Sequence, residues 1–573
     1  MQTIRDTLTS RLRAAFATAF PDVTLDALPI EAIPTSDETF GDYQCNAAMA
    51  AAKVLRKPPR AIADAIGRLL QEDPLLAKVE IAGPGFINLS LNDSALARHL
   101  ETMQGDANLG IPQPGAGKRL ILDYSSPNVA KPMHVAHIRS TVIGDALKRI
   151  YRALGYEVLG DNHLGDWGTQ FGILILGYRH FLDPAALEAS PIDELQRIYV
   201  LAHQKCEAEP EWRDQARNEL VKLQSGDPEN RALWQKFIDL SLLEFNQIYA
   251  RLGVSFELVR GESYYNDALP GVIDTLQKHG LIRESEGALV AFLDEEKLPP
   301  CIVRKSDGGY NYATTDIATV LSREAEFQPD GILYVTDERQ QLHFRQFFAL
   351  ARKVGVKTPL RHIWFGLMRL PEGLLSTRKG TAIKLERLLD EAEKRALELV
   401  QQASPDMPPE QQQAVARAVG IGAVKYADLS QNPQSAITFT WEKALAMDGN
   451  SAPYLQYAYA RIASVRDKHN ERFPDVDFLQ EPIALDSPQA RRLAVRLARY
   501  PDTVLDAANQ DRPAILADAL YDLAQTYSSF YQNVPFLKAE PGVRESRVRL
   551  GALVAQVLRH GLDLLGIATP ERI

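Results

Sequence analysis

The 573-residue chain holds only three cysteines, Cys45, Cys206 and Cys301, far apart and without a Cys-x-x-Cys pair. That scarcity excludes a disulfide framework, argues against a thiolate zinc site and fits a reducing, cytoplasmic setting. No apolar run approaches the roughly 18 residues that a membrane span needs. The first residues lack an apolar signal core. Arg5, Arg11 and Arg13 would suit an organelle leader, but Asp6 and the helical spacing of Ile4, Leu8 and Leu12 favour a folded first helix. Gly-x-x-x-x-Gly-Lys-[Ser/Thr] is missing, since Gly115-Ala-Gly-Lys118 runs on into Arg119; Gly-x-Gly-x-x-Gly after a strand and His-Glu-x-x-His are missing too. These absences weigh against a P-loop ATPase, a dinucleotide oxidoreductase and a zinc peptidase. Positive charge is also short, at a net −10. Taken alone this disfavours a phosphate-rich partner, but from residue 441 onward 16 basic residues face 17 acidic ones, so the tail can still present a basic face.

What is present is an ordinary globular composition, 45% hydrophobic and 24% charged, long enough for three or four domains. Residues 1–114 read as a small α/β module, with helical patterns at 3–17, 43–55 and 59–72 and two alternating strands across 78–91 around a Gly-Pro-Gly turn. Gly110-Ile-Pro-Gln-Pro-Gly-Ala-Gly117 punctuates the chain as a linker. Over 115–440, short apolar strands at 119–124, 157–160, 331–335 and 362–365 alternate with helical patterns at 132–154 and 344–354. This predicts a parallel sheet covered by helices, with a charged helical insertion near 180–250. From 441 to 573 the periodicity is helical throughout, an all-α domain.

Two stretches carry chemistry. In Asp123-Tyr-Ser-Ser-Pro-Asn-Val-Ala-Lys-Pro-Met-His-Val-Ala-His-Ile-Arg-Ser-Thr141 a buried strand ends, a turn follows, and Pro132 suits a helix's first turn. His134 and His137 then share one face near the positive end of the helix dipole, where anionic oxygens bind readily. With Lys131 they could supply donors to a phosphate, and imidazole donates without a permanent charge. A bare His-x-x-His is equally a pair of partly exposed helix residues. In Gly366-Leu-Met-Arg-Leu-Pro-Glu-Gly-Leu-Leu-Ser-Thr-Arg-Lys-Gly-Thr381, Ser376, Arg378 and Lys379 lie between glycines. That suits a loop closing cationic donors over a triphosphate, or simply an exposed basic loop.

His134-Val-Ala-His137 resembles the HIGH signature and Leu374-Leu-Ser-Thr-Arg378 a degenerate KMSKS loop, both marks of class I aminoacyl-tRNA synthetases. The text around them is similar to arginyl-tRNA synthetases in particular. Leu164-Gly-Asp-Trp-Gly-Thr-Gln-Phe-Gly172, Tyr310-Asn-Tyr-Ala-Thr-Thr-Asp316, Leu342-His-Phe344 and Asp448-Gly-Asn-Ser-Ala-Pro-Tyr-Leu-Gln-Tyr457 carry the likeness in order along the chain. The resemblance implies a Rossmann-type catalytic domain at 115–440 between an N-terminal tRNA-contacting α/β domain at 1–114 and an all-α anticodon-binding bundle at 441–573. It implies ATP-dependent activation of L-arginine, then transfer to the terminal ribose of tRNA(Arg). Magnesium would arrive with ATP, no metal would be held by the protein, and the enzyme would be a monomer. By the same resemblance His134, His137 and Met368 meet ATP, while Lys131, Ser376, Arg378 and Lys379 join the histidines in catalysis. Asp123, Asn128, Ala130, Tyr312, Asp316 and Gln340 line the arginine pocket. Phe86 and Asn88 would touch the tRNA elbow, and Asn450, Tyr454, Tyr457 and Arg461 the anticodon.

Asp316 alone would read as a helix N-terminal carboxylate, and Tyr454 and Tyr457 could be core residues at helical spacing. Ala136 replaces the glycine of HIGH, and Thr377 the second lysine of KMSKS. Two alternatives compete. A cysteinyl or glutamyl enzyme of the same class would need a zinc site, or cations where Asp123 and Asp316 stand. A non-catalytic tRNA-binding relative would have lost Lys131, His134 or His137.

Overall fold

The structure is a computed structural model that describes residues 2–22, 27–35, 37–370 and 383–573. The chain forms two compact units. One is Gly115–Ala446 with Leu565–Ile567; the other joins Met1–Pro114 to Met447–Leu564 and Ala568–Ile573.

The first unit is built on a five-stranded parallel sheet. Arg119–Asp123 lies at its centre, between Glu157–Asn162 and Gly331–Asp337, with Leu258–Val259 and Leu360–Phe365 at the edges. Leu120, Ile121 and Leu122 are all buried because helices cover both faces, which is why this strand reads as an unbroken apolar run. The winding of the sheet reverses beside the central strand. The carboxyl ends of 119–123 and 331–337 therefore flank a crevice of the kind where ligands bind in doubly wound sheets.

The helix expected over 132–154 begins later, at Val135–Ala153. Pro132 disfavours helical backbone in the residue before it. Residues 133–135 are also drawn into pairing: Val135 N–H donates to the Ile383 carbonyl at 3.0 Å, and Leu385 N–H to the Met133 carbonyl at 2.8 Å. The charged stretch near 180–250 forms helices Pro184–Ala189, Pro191–Ala208, Pro210–Gln224 and Pro228–Leu252, each opening on proline. An antiparallel sheet of Ile282–Ser285, Ala288–Leu293 and Leu298–Arg304 was not foreseen. Pro299 and Pro300 mask it in the sequence; they sit exposed on an edge strand, where the register shifts. The sheet packs with helix Tyr312–Phe327 in one core that includes Leu293, Val303, Ile317, Phe344 and Phe347.

In the second unit a four-stranded antiparallel sheet runs in the order Ile33–Pro34, Tyr43–Cys45, Phe86–Leu91, Leu76–Ala82. The helix expected over 43–55 is in fact strand Tyr43–Cys45 followed by helix Ala47–Leu55. Tyr43 and Cys45 are both fully buried across from Leu89 and Ile87, a period of two that tertiary pairing imposes. The 441–573 stretch is helical as expected, with Ala452–Arg472, Pro488–Ala498, Tyr500–Asn509, Pro513–Asn533 and Val543–Leu564 as its main elements. Arg491 joins it to the N-terminal module through Asp42, at 2.8 Å.

Candidate active site

The turn after the central strand is strained and heavily braced. Ser125, Ser126 and Ala130 all have positive φ, at 71°, 49° and 61°, which non-glycine residues adopt only when their surroundings enforce it. Ser140 Oγ accepts the Ser125 N–H at 2.8 Å and donates to the Val335 carbonyl at 2.6 Å, tying the turn to the neighbouring strand. Asn162 Oδ1 accepts the Ser126 N–H at 3.1 Å, and Ser241 Oγ accepts the Ala130 N–H at 2.9 Å. Asn128 is exposed, and its backbone bridges Gly165. A Cβ on Gly165 would lie 2.1 Å from Asn128 Oδ1, so a larger residue there would displace the Asn128 side chain.

His134 caps helix Val135–Ala153. Its backbone N–H donates to His137 Nδ1 at 2.9 Å, and the two rings lie 4.9 Å apart. That bond makes Nδ1 an acceptor and leaves the proton of a neutral His137 on Nε2. Burial, then the neighbouring His134, pushes His137 down to about 4; burial and Lys131 lower His134 as well. At neutral pH the pair is a set of uncharged donors at a helix N-terminus. Lys131 Nζ lies 5.1 Å from the centre of the Tyr199 ring. The helix is fixed from behind by buried Arg139, which binds Asp428 at 3.0 Å and donates to the Gly366 carbonyl at 2.6 Å. Met368 stands in the short strand Met368–Arg369, paired with Ile437–Thr438. Ser376, Arg378 and Lys379 lie outside the described residues, but Lys384 bridges to His134 just beyond them.

Two groups of carboxylates stand near the strand ends, and they differ. Asp123 is only 6% exposed. Its Oδ1 accepts from Ser126 Oγ at 3.1 Å, and its Oδ2 takes Nη2 of fully buried Arg323 at 2.6 Å. Arg323 also holds Asp161 at 2.8 Å. A guanidinium is thus bound here already, and it belongs to the chain. Asp316, in the first turns of helix Tyr312–Phe327, is half-buried, and its Oδ2 lies 2.5 Å from His343 Nε2. Tyr312 beside it is exposed, as is Gln340 in the turn after strand Gly331–Asp337.

Sequence reasoning missed Glu262, His343 and Arg323. Burial first, then Asp316 and Asp166, pushes the Glu262 carboxyl up to about 8, so it keeps its proton at neutral pH. Its placement explains the Leu164-Gly-Asp-Trp-Gly run. Glu262 N–H donates to the Leu164 carbonyl at 3.0 Å, and Asp166 holds the next residue through Ser263 N–H at 2.8 Å and Oγ at 2.6 Å. A Cβ on Gly261 would lie 2.1 Å from the Asp166 carboxylate and would push it off Ser263. No local signal in the sequence marks Glu262, because Leu164 and Asp166, which hold its segment, lie about a hundred residues earlier.

In the other unit, Tyr457 is exposed on helix Ala452–Arg472, with Arg461 over its ring at 4.8 Å and over that of Tyr531 at 5.8 Å. Tyr454 is half-buried against Tyr521, and exposed Asn450 donates to Asp518 at 3.3 Å. Phe86 is half-buried, whereas Asn88 is 4% exposed and its amide oxygen accepts from Gln44 at 2.7 Å.

Comparison with known proteins matches these regions in order. The family described as "tRNA synthetases class I (R), catalytic domain" matches residues 101–441, "Arginyl tRNA synthetase N terminal domain" residues 2–91, and "DALR anticodon binding domain" residues 455–573. An arginine–tRNA ligase of Fusobacterium nucleatum is 44% identical over 96% of each chain, and one of Azotobacter vinelandii 43% identical over 100% of each. Among solved structures, the arginyl-tRNA synthetases of Plasmodium falciparum and Thermus thermophilus superpose with TM-scores of 0.84 and 0.82, each at 26% identity. They cover 100% and 99% of this chain, and 100% of their own. With a catalytic-domain match over more than half its length and relatives aligned end to end, the chain belongs to the arginyl-tRNA synthetases of class I.

Proposed function

We propose that this chain is an arginine–tRNA ligase that uses ATP to form arginyl-adenylate and pyrophosphate. It then passes the arginyl group to the 3′-terminal ribose of tRNA(Arg), releasing AMP. The observation that carries this reading is that one catalytic unit holds both uncharged histidine donors on a helix N-terminus and two carboxylates, Asp316 and Glu262, for which no ion pair with a lysine or arginine is found among the described residues.

The first step is in-line attack by the arginine carboxylate on the α-phosphate, which asks the protein for positioning and charge neutralisation rather than a nucleophile. In this account His134 and His137 donate through their outward nitrogens to ATP phosphate oxygens, with Met368 lining the nucleotide. Lys131, Ser376, Arg378 and Lys379 supply the remaining donors and positive charge. Magnesium enters as part of the MgATP substrate, held mainly by phosphate oxygens. The substrate guanidinium is answered by Asp316 and Glu262, with Tyr312 beside them, while Asn128, Ala130 and Gln340 meet the backbone end of arginine. Asp123 belongs to the pocket floor, where its bond to Arg323 fixes the strand end. Tyr457, Tyr454, Arg461 and Asn450 offer aromatic faces and polar edges to unstacked anticodon bases. Tyr531 joins them, and Phe86 marks the N-terminal tRNA surface, while buried Asn88 supports it from within the sheet through Gln44. The working enzyme is cytoplasmic and monomeric.

The test is charging of a bulk tRNA pool with each of the twenty amino acids, with and without His134→Ala. Arginine-only charging abolished by that change supports the proposal. Retained tRNA binding without any charging would instead make the chain a tRNA-binding relative, and charging with another amino acid would overturn the pocket.

A further inference from the structure

The carboxylate assigned to the substrate guanidinium already has a partner. Asp316 Oδ2 and His343 Nε2 lie 2.5 Å apart, with side chains 23% and 28% exposed, so the contact is open to the crevice. His343 sits in the first turns of helix Gln341–Lys353, packed edge-on against Phe344 and stacked near Phe347. A short contact between a carboxylate and an imidazole, part-shielded by two phenyl rings, holds a proton on the ring.

We propose that His343 is a positioning residue that acts as the resident cation of the empty arginine pocket: it pairs with Asp316 until the substrate guanidinium takes its place, and it gives up its proton on that exchange. The proposal rests on Asp316 being the guanidinium acceptor. It deepens that assignment by adding a residue that holds the carboxylate's rotamer and makes arginine binding release a proton. No covalent step is involved; the proton passes to solvent.

The titratable neighbours on the elements packed around the pair agree with this direction. From helix Tyr312–Phe327, Asp316 raises His343 above its ordinary value although burial opposes it. From strand Leu360–Phe365, His362 is pushed down to about 4 by burial and by His343, and therefore carries no competing charge. The Cys301 thiol, facing Asp316 from strand Leu298–Arg304, is pushed up to about 11 by burial and that carboxylate, and stays neutral. Tyr334 is raised as well, chiefly by burial. Glu262, on the far side of Asp316, holds its proton up to about 8. The empty pocket therefore balances one carboxylate with one imidazolium. An entering guanidinium adds a positive charge, and the balance is restored by losing protons from His343 and Glu262.

The experiment is calorimetric titration of the full-length enzyme with L-arginine, in buffers of different ionisation enthalpy, from pH 5.5 to 8.5. Wild type should bind arginine more tightly as pH rises, about tenfold per pH unit for each proton released. His343→Gln and His343→Asn should each release close to one proton fewer, with ATP affinity unchanged as a check on folding. Arginine affinity in the unmodified enzyme that is flat across this range overturns the proposal without any variant. So does a proton count that both substitutions leave as it was. Asp316→Asn separates the two levels. If it weakens arginine while His343→Gln changes no proton count, the pocket stands and the exchange falls. If it leaves arginine binding intact, both fall.

Discussion

The catalytic unit holds two carboxylate pairs that look alike in sequence and differ in what they bind. Asp123 and Asp161 surround Arg323, which is wholly buried, and burial holds the Asp161 carboxyl above its ordinary range in spite of that partner. Asp316 and Glu262 are half-buried, one leaning on a histidine and the other keeping its proton. The first pair recognises an arginine side chain of the chain itself and so sets the sheet's geometry. The second pair has no arginine: Asp316 leans on His343, whose charge depends on pH, and Glu262 holds a proton. The difference teaches that a carboxylate's sign does not mark it as a substrate ligand; what marks it is a partner that can be displaced.

The sharpest way to break this comparison is to empty the first site. Arg323→Met leaves Asp123 and Asp161 buried without their cation, and should lower unfolding stability by about 3–5 kcal/mol, read from the urea midpoint at constant m. A loss below about 1 kcal/mol would mean that the pair is not held by Arg323.

Smaller is the effect of Glu262→Gln, which should cost arginine binding roughly 1.5–3 kcal/mol by removing one charge-assisted contact. The sign of the pH dependence follows from a folded-state value raised to about 8. The empty protein gives up stability as pH climbs from the usual glutamate range to that value, and arginine restores it. Saturating arginine should therefore raise the melting midpoint of wild type more at pH 8.5 than at pH 6.5, and Glu262→Gln should shrink that gain. Equal shifts at both pH values would place Glu262 outside the pocket.

In the other unit, Tyr457→Ala removes an exposed ring, and should raise the KM for tRNA by the equivalent of about 1–3 kcal/mol if one base stacks there. Arginine and ATP affinities should not move. The mildest change is Ser140→Ala, which unties the Ser125 turn from the Val335 carbonyl and should cost about 1 kcal/mol of stability in the same urea assay. No measurable loss would show that the turn's positive φ angles are held by its other contacts.

Much of this was legible beforehand where the signal is local. Helical spacing gave the all-α character of 441–573, and a turn plus His-x-x-His gave the helix that His134 caps to within three residues. The strand at Tyr43–Cys45 was hidden because pairing with Phe86–Leu91, not local propensity, makes it. The edge strand Leu298–Arg304 was hidden by Pro299 and Pro300. Asp123 was assigned to the arginine pocket through the family resemblance, and its bond to Arg323 was not legible because that partner lies 200 residues away in sequence. Glu262 and His343 were missed because each takes its meaning from a contact with Asp316 made between separate elements, which no local pattern marks.

The most direct test of the account sets Asp316→Asn beside Asp123→Asn, measuring arginine affinity, ATP affinity and unfolding midpoint for both. Asp316→Asn should lose roughly 1.5–3 kcal/mol of arginine affinity with ATP affinity and midpoint kept, whereas Asp123→Asn should lose stability first. The reverse pattern, with Asp123→Asn selectively defective in arginine and Asp316→Asn merely less stable, would contradict it.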